Sequence, residues 1–306
     1  MEERIRKIVE NCDIDWVAHS AEPYGNGHIN DTFLVTGDTK RYILQAINSN
    51  VFKKPEEVMH NISLVTSFLK SQTDDERSVL SLVYTKDGSP FYKDDNGRYW
   101  RLYDFVESSL SLDLPETTED FYQSAIAFGE FQKLLNDFPV EKLYETIPDF
   151  HNTRKRYETF IASVEADKAG RAGEVREDID YLLSVQDLAC KLTDLQKEGK
   201  LPLRVTHNDT KINNVLFHPE TSEAMIVIDL DTVMPGLMGN DFGDAIRFAA
   251  NFVEEDCRDL EKVGVNLEVF KAFAEGFLSK TANTMTEKEV ETLALSCFVL
   301  TAELAT

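Results

Sequence analysis

Nothing in the 306 residues approaches the roughly 20 consecutive apolar residues that a membrane-spanning helix needs. Positive charge is scarce as well: 32 Lys and Arg against 55 Asp and Glu leave a formal net charge of −23. A duplex-binding surface needs a positive field to displace counterions, so nucleic acid is not an expected partner, and anionic membrane surfaces are not either. The first residues, Met1 to Lys7, run into an amphipathic pattern without an apolar leader, and a cytoplasmic location is expected. Cysteines number four, at Cys12, Cys190, Cys257 and Cys297, too far apart for metal spacing, and read as reduced thiols. No internal repeat or low-complexity tract occurs, and nothing points to a protein partner. With 42% apolar residues the chain can bury a core, and its length fits one large or two ordinary domains.

The hydrophobic period changes along the chain. Ile5, Ile8, Val9 and Cys12 lie at helical spacing, and Thr32–Thr36 and Arg41–Ile47 then read as strands around Gly37-Asp38. Pro55 opens a helix with Val58, Ile62, Val65 and Leu69 on one face, and Ser78–Thr85 reads as a further strand. Asp95-Asn96-Gly97 between two aromatic runs predicts a hairpin. After Glu107 helices dominate: one capped by Thr117 or Thr118, one over about 152–168, and one long helix through Ile179 to Leu195 that ends at Gly199. Short strands at 203–206, 215–218 and 225–229 interrupt them, and helices resume from about Asp241. The expected architecture is α+β and two-lobed: a small β-rich N-lobe over residues 1–107 and a larger, mainly helical C-lobe over 108–306, with a ligand crevice between them.

The segment Thr206-His207-Asn208-Asp209-Thr210-Lys211-Ile212-Asn213-Asn214 carries the clearest chemistry. Asp209 and Asn214 are five residues apart, and the strand Met225–Ile228 returns to deliver Asp229 beside them. This is the arrangement of catalytic loop and metal strand in kinases that phosphorylate hydroxyl groups. A carboxylate, Asp209, would orient the acceptor hydroxyl and take its proton. Mg²⁺ takes oxygen ligands, which Asn214 and Asp229 offer, and Asp231 on the same strand face by the period-two rule could reach a second ion. Asp and Asn are also ordinary turn formers, but the second strand at a workable distance favours the functional reading. His207 reads as a brace of the loop.

A second signal is Gly25-Asn26-Gly27-His28-Ile29-Asn30, where glycines would let backbone N–H groups approach phosphates, with His28 and Asn30 beside the crevice as substrate contacts. Backbone groups of the connector at Asp104 and Val106 would take the adenine edge. Asp241-Phe242-Gly243 opens a helix after Asp229 and is not assigned the metal; Asp241 and Asp244 read as caps or supports of the catalytic loop.

These residues, with Glu22–Asn30, Arg41–Gln45, Leu203–Lys211, Ile228–Thr232 and Asp241–Asp244, resemble the aminoglycoside phosphotransferase and choline kinase-like family, and within it the N-acetylhexosamine 1-kinases. The resemblance implies a protein kinase-like fold, ATP as phosphoryl donor, and a sugar, N-acetylglucosamine or N-acetylgalactosamine, phosphorylated at its anomeric hydroxyl. It implies Asp209 as base, Asn214 and Asp229 as magnesium ligands, and His28 and Thr232 near the sugar. Other acceptors remain open (an amino alcohol, homoserine or an aminoglycoside), as does a non-catalytic nucleotide-binding module. Kinases of this fold usually carry a lysine on the third strand where this chain has Gln45, a candidate nucleotide contact without charge. Lys211, Arg247 and magnesium are candidates for the missing positive charge. Leu300–Thr306 stops within a helical pattern, so a shortened chain is expected.

Overall fold

The computed structural model describes residues 3–306 except 16, 26, 28, 76, 77, 116 and 254–256. Helix α1 (Glu3–Glu10) buries Ile5, Ile8 and Val9, the face that its spacing demands. An antiparallel sheet follows, made of β1 (Ala18–Pro23), β2 (Asp31–Gly37) and β3 (Arg41–Ala46), then, beyond helix α2 (Pro55–Gln72), β4 (Leu82–Val83), β5 (Tyr92–Lys93) and β6 (Tyr99–Asp104). The order is β1-β2-β3-β6-β4, with β5 also paired to β6. The expected strand over 78–85 is only two residues long, because Thr85 turns the chain: its hydroxyl and backbone both bond Ser89.

Alternation along β3 and β6 separates two faces. Tyr42, Leu44, Trp100 and Leu102 pack with α1 in one apolar cluster. The opposite face presents Ile43 and Gln45 of β3 with Tyr99, Arg101 and Tyr103 of β6; Tyr99 and Tyr103 join the main core with α2. That core is continuous between the lobes, since Val58, Met59 and Ile62 of α2 cluster with Phe121, Phe128 and Phe242. Asn61 of α2 adds a polar tie, donating to the carbonyls of Tyr144 (2.8 Å) and Val233 (2.9 Å).

Beyond the connector, β7 (Leu110–Ser111) already pairs within the second lobe. Helix α3 (Thr118–Leu134) starts on a capping box at Thr117, which fixes the cap between the two threonines expected. Helix α4 (Thr153–Ala166) is capped by Asn152. The single long helix expected next is three pieces, α5 (Arg176–Ser184), α6 (Gln186–Ala189) and α7 (Lys191–Lys197), interrupted at Val185 and Cys190, where ψ rises to 5° and 0°. Gly199 takes the left-handed φ of 70° that closes α7. Then come β8 (Arg204–Thr206), β9 (Val215–Phe217), β10 (Ala224–Val227), β11 (Met234–Gly236), and helices α8 (Met238–Ala249), α9 (Leu267–Thr281) and α10 (Glu287–Ala305). β10, β9 and β7 form one small sheet, and β11 pairs β8. No described helix is long and apolar enough to cross a membrane. All four cysteines are free thiols.

One carboxylate locks the N-terminal helix onto the hairpin. Burial would raise the Asp94 carboxyl, but hydrogen bonds from Arg4, from Trp100 and from the Arg98 and Asn96 amides outweigh it and bring it down to about 2. Its folded value lies below its unfolded one, so its stabilisation is complete above about pH 4 and is lost as pH falls toward 2. Asp94→Ala should therefore destabilise the fold by about 1–3 kcal/mol at pH 7, measured by urea denaturation, with the gap to wild type narrowing at pH 3.

Candidate active site

The loop from His207 to Asn214 joins β8 to β9, and buried carboxylates hold it from beneath. Asp241, in the first turn of α8, accepts from the amides of His207 (2.9 Å) and Asn208 (2.8 Å) and from Gln132 Nε2 (2.5 Å). Burial raises its pKa while those N–H groups oppose the rise. Asp244 accepts from the Thr210 amide at 3.1 Å, and the Thr210 hydroxyl donates to the Asp241 carbonyl at 2.6 Å. Asn208 takes a left-handed φ of 64°, a conformation asparagine tolerates, and donates to the Thr232 carbonyl at 2.8 Å. His207 is buried edge-on against Phe128 and Phe131, with Nε2 2.9 Å from the Ile228 carbonyl, which makes it a brace. Gly243 faces α10, where a Cβ would lie 2.6 Å from the Ser296 carbonyl; close helix packing, not metal chemistry, accounts for Asp241-Phe242-Gly243.

Above this support the candidate catalytic groups meet. Asn214 Nδ2 donates to both the Asp209 carbonyl (2.8 Å) and Asp209 Oδ2 (3.0 Å). Lys211 Nζ lies 3.1 Å from Asp209 Oδ1. The Ile228 amide donates to the Asn214 carbonyl at 2.9 Å, which continues the β9–β10 ladder to the residue before Asp229. Asp229 is surrounded by protein yet keeps contact with solvent, and accepts no hydrogen bond among the described residues. Burial first, then Asp231, push its carboxyl up to about 6, against the pull of Arg101 and His207. With Asn214 Nδ2 committed to Asp209, the amide oxygen of Asn214 and the Asp229 carboxylate are the oxygen groups that could serve a hard cation here.

Asp231 departs from expectation. The strand ends at Val227, Asp229 adopts φ 57°, and Leu230–Thr232 form a single 3-10 turn, so the period-two rule does not apply. Both Asp231 oxygens are engaged: Oδ1 by Arg101 Nη1 in an ion pair with side chains 1% and 5% exposed, Oδ2 by Asn30 Nδ2 at 2.7 Å. Arg101 Nε and Nη2 both donate to Gln45 Oε1, at 3.0 and 2.8 Å. Gln45 is thus committed to Arg101 and, through Nε2, to Thr32. The sequence reading missed Arg101. A lone charge in the apolar run Tyr99–Tyr103 was the available signal, but only strand register sets it opposite Gln45. Of the cations it did name, Lys211 stands beside Asp209 and Arg247 is 2.9 Å from Asp244.

Nearer the connector, Gly25 lies at φ 77° and open space surrounds both Gly25 and Gly27. Asn26 and His28 lie outside the described residues. Tyr24 packs edge-on against Phe105 at 5.9 Å, and the Arg41 guanidinium covers the Phe105 ring at 4.0 Å. The Asp104 amide donates to Ser81 and that of Phe105 to Arg41, whereas the Val106 amide meets no acceptor among the described residues. The Thr232 hydroxyl donates to the His207 carbonyl at 2.7 Å.

Since Asp241 satisfies two loop amides at once, Asp241→Ala should lower stability by about 2–4 kcal/mol, measured by denaturant unfolding. An effect below about 1 kcal/mol would mean the loop holds its shape without it.

Solved structures share this fold. A microcompartment-associated aminopropanol kinase superposes with a TM-score of 0.66 at 18% identity, over 98% of this chain and 87% of that one. A spectinomycin phosphotransferase in complex with ADP and spectinomycin gives 0.54 at 13% identity, over 100% and 99%. An ethanolamine kinase of Plasmodium vivax gives 0.57 at 15% identity, over 95% and 75%. These likenesses identify the two-lobed α+β architecture as kinase-like. A profile of the phosphotransferase enzyme family matches residues 20–266, a span that holds β2 to α8 and every candidate residue above, and the chain belongs to that family.

Proposed function

We propose that the protein transfers the terminal phosphoryl group of ATP to the anomeric hydroxyl of an N-acetylhexosamine, giving the sugar 1-phosphate. The observation that carries phosphoryl transfer is the Asn214 side chain bonded to Asp209, whose charge is felt by an Asp229 carboxylate that accepts no hydrogen bond among the described residues. Asp209, one-third exposed, can accept a hydrogen bond from the acceptor hydroxyl and take its proton as the new P–O bond forms and the bond from the terminal phosphorus to the departing ADP oxygen breaks. Asn214 keeps Asp209 in that orientation. The Lys211 ammonium stands close enough to face the negative charge of a transferring phosphoryl group. Asn214 Oδ1 and Asp229 would hold Mg²⁺, which neutralises charge on the nucleotide phosphates when bound. Gly25, Gly27 and the Val106 amide would line the nucleotide side, with Asn30 near the substrate. Support for a nucleotide donor comes from the fold relative bound to ADP.

The hexosamine rests on the sequence segments from Glu22 to Asp244 described above. An amino alcohol acceptor is the second reading, favoured by the likeness to aminopropanol and ethanolamine kinases. A panel of acceptors with radiolabelled ATP separates the two. N-acetylglucosamine or N-acetylgalactosamine should be phosphorylated, and the corresponding methyl glycoside, whose anomeric oxygen is blocked, should not. Turnover of the methyl glycoside, or of amino alcohols alone, would overturn the anomeric acceptor and leave phosphoryl transfer standing. Asp209→Asn should lower kcat by at least ~10²-fold with the preferred acceptor, read by initial rates. Equal residual activity in both proteins would favour the non-catalytic nucleotide-binding module.

A further inference from the structure

Arg101 and Asp231 form an ion pair between the lobes that is shielded from water on both sides. Such a pair is weak support for stability, because removing two charges from water offsets most of their attraction. Its construction points to a positional task. The sheet fixes the guanidinium plane through two bonds to Gln45 Oε1, and Tyr103 lies against it with its ring centre 5.3 Å from Cζ. Asn30, itself held by the Asn48 amide at 3.0 Å, takes the other Asp231 oxygen. Two residues further along the chain, Asn61 of α2 holds the Val233 carbonyl. The N-lobe therefore grips the short turn after Asp229 at two points, and Asp229 enters that turn in a left-handed conformation at φ 57°.

We propose that Arg101 is a positioning residue for phosphoryl transfer: through Asp231 it ties the N-lobe sheet to the turn that carries Asp229, and it brings positive charge to a strand pair where Gln45 supplies none. The inference rests on the phosphotransfer reading above. It differs from a merely structural role in one respect. Loss of the pair should weaken metal-dependent nucleotide binding even where the fold survives.

Titration calorimetry of the full chain with ATP, with and without Mg²⁺, tests this alongside thermal unfolding. Arg101→Met alone leaves a buried, unpaired carboxylate and should destabilise the fold strongly. The double variant Arg101→Met/Asp231→Asn removes both charges and should recover most of the melting temperature, yet the gain in ATP affinity conferred by Mg²⁺ should fall at least ~10-fold. A folded double variant that keeps the full gain overturns the inference. Should the double variant not fold, Arg101→Lys decides: it keeps the charge but cannot reach Gln45 and Asp231 together, so most of the gain should be lost, and full retention overturns the inference. A wild-type chain that binds ATP in neither condition overturns the phosphotransfer reading, and the inference with it.

Discussion

Two loop amides and one side-chain amide converge on the Asp241 carboxylate in the interior of the helical lobe. A buried carboxylate needs such donors, and the backbone around His207 and Asn208 needs such an acceptor, because neither reaches water. That mutual requirement fixes where β8 ends and which way Asp209 leaves the loop. Everything nearer the cleft stands on it. Asn214 can bond Asp209 only because the loop between them is short and held, and His207 can brace the Ile228 carbonyl only because its own amide is anchored.

The N-lobe reaches the same region from above. Its sheet has an apolar face against α1 and a mixed face toward α2 and the cleft, and the mixed face carries Gln45 and Arg101 side by side. Helix α2 belongs to the main core, so the two lobes share one body of buried side chains. Polar contacts between them fall on Asp231 and Val233, and also on Lys142 and Tyr144, which meet His60 and Asn61 of α2. A lobe arrangement held there ties the sheet to the turn beside Asp229, with the neutral Gln45 of β3 opposite Arg101.

Much of this was legible in the residues. Periodicity located α1 and α2, each of which buries the face that its spacing sets, and the turn residues Asp95-Asn96-Gly97 located the hairpin between β5 and β6. The helix through 179–195 was not legible as three pieces, since its apolar spacing persists across the breaks at Val185 and Cys190. Asp231 was misplaced for a related reason. The period-two rule presumes a strand, and the left-handed turn at Asp229 is a backbone event that no side-chain pattern announces. Arg101 was overlooked because its meaning depends on partners 56 and 130 positions away in the chain.

In the proposed reaction Asn214 and Asp229 would hold a divalent cation, and Asp209 would face the acceptor. A crystal structure of the protein with Mg²⁺, a non-hydrolysable ATP analogue and N-acetylglucosamine tests this most directly. The account predicts the cation at about 2.1 Å from Asn214 Oδ1 and an Asp229 oxygen, and the sugar O1 within about 3.2 Å of Asp209. A cation bound elsewhere, or a sugar with another hydroxyl against Asp209, would contradict it.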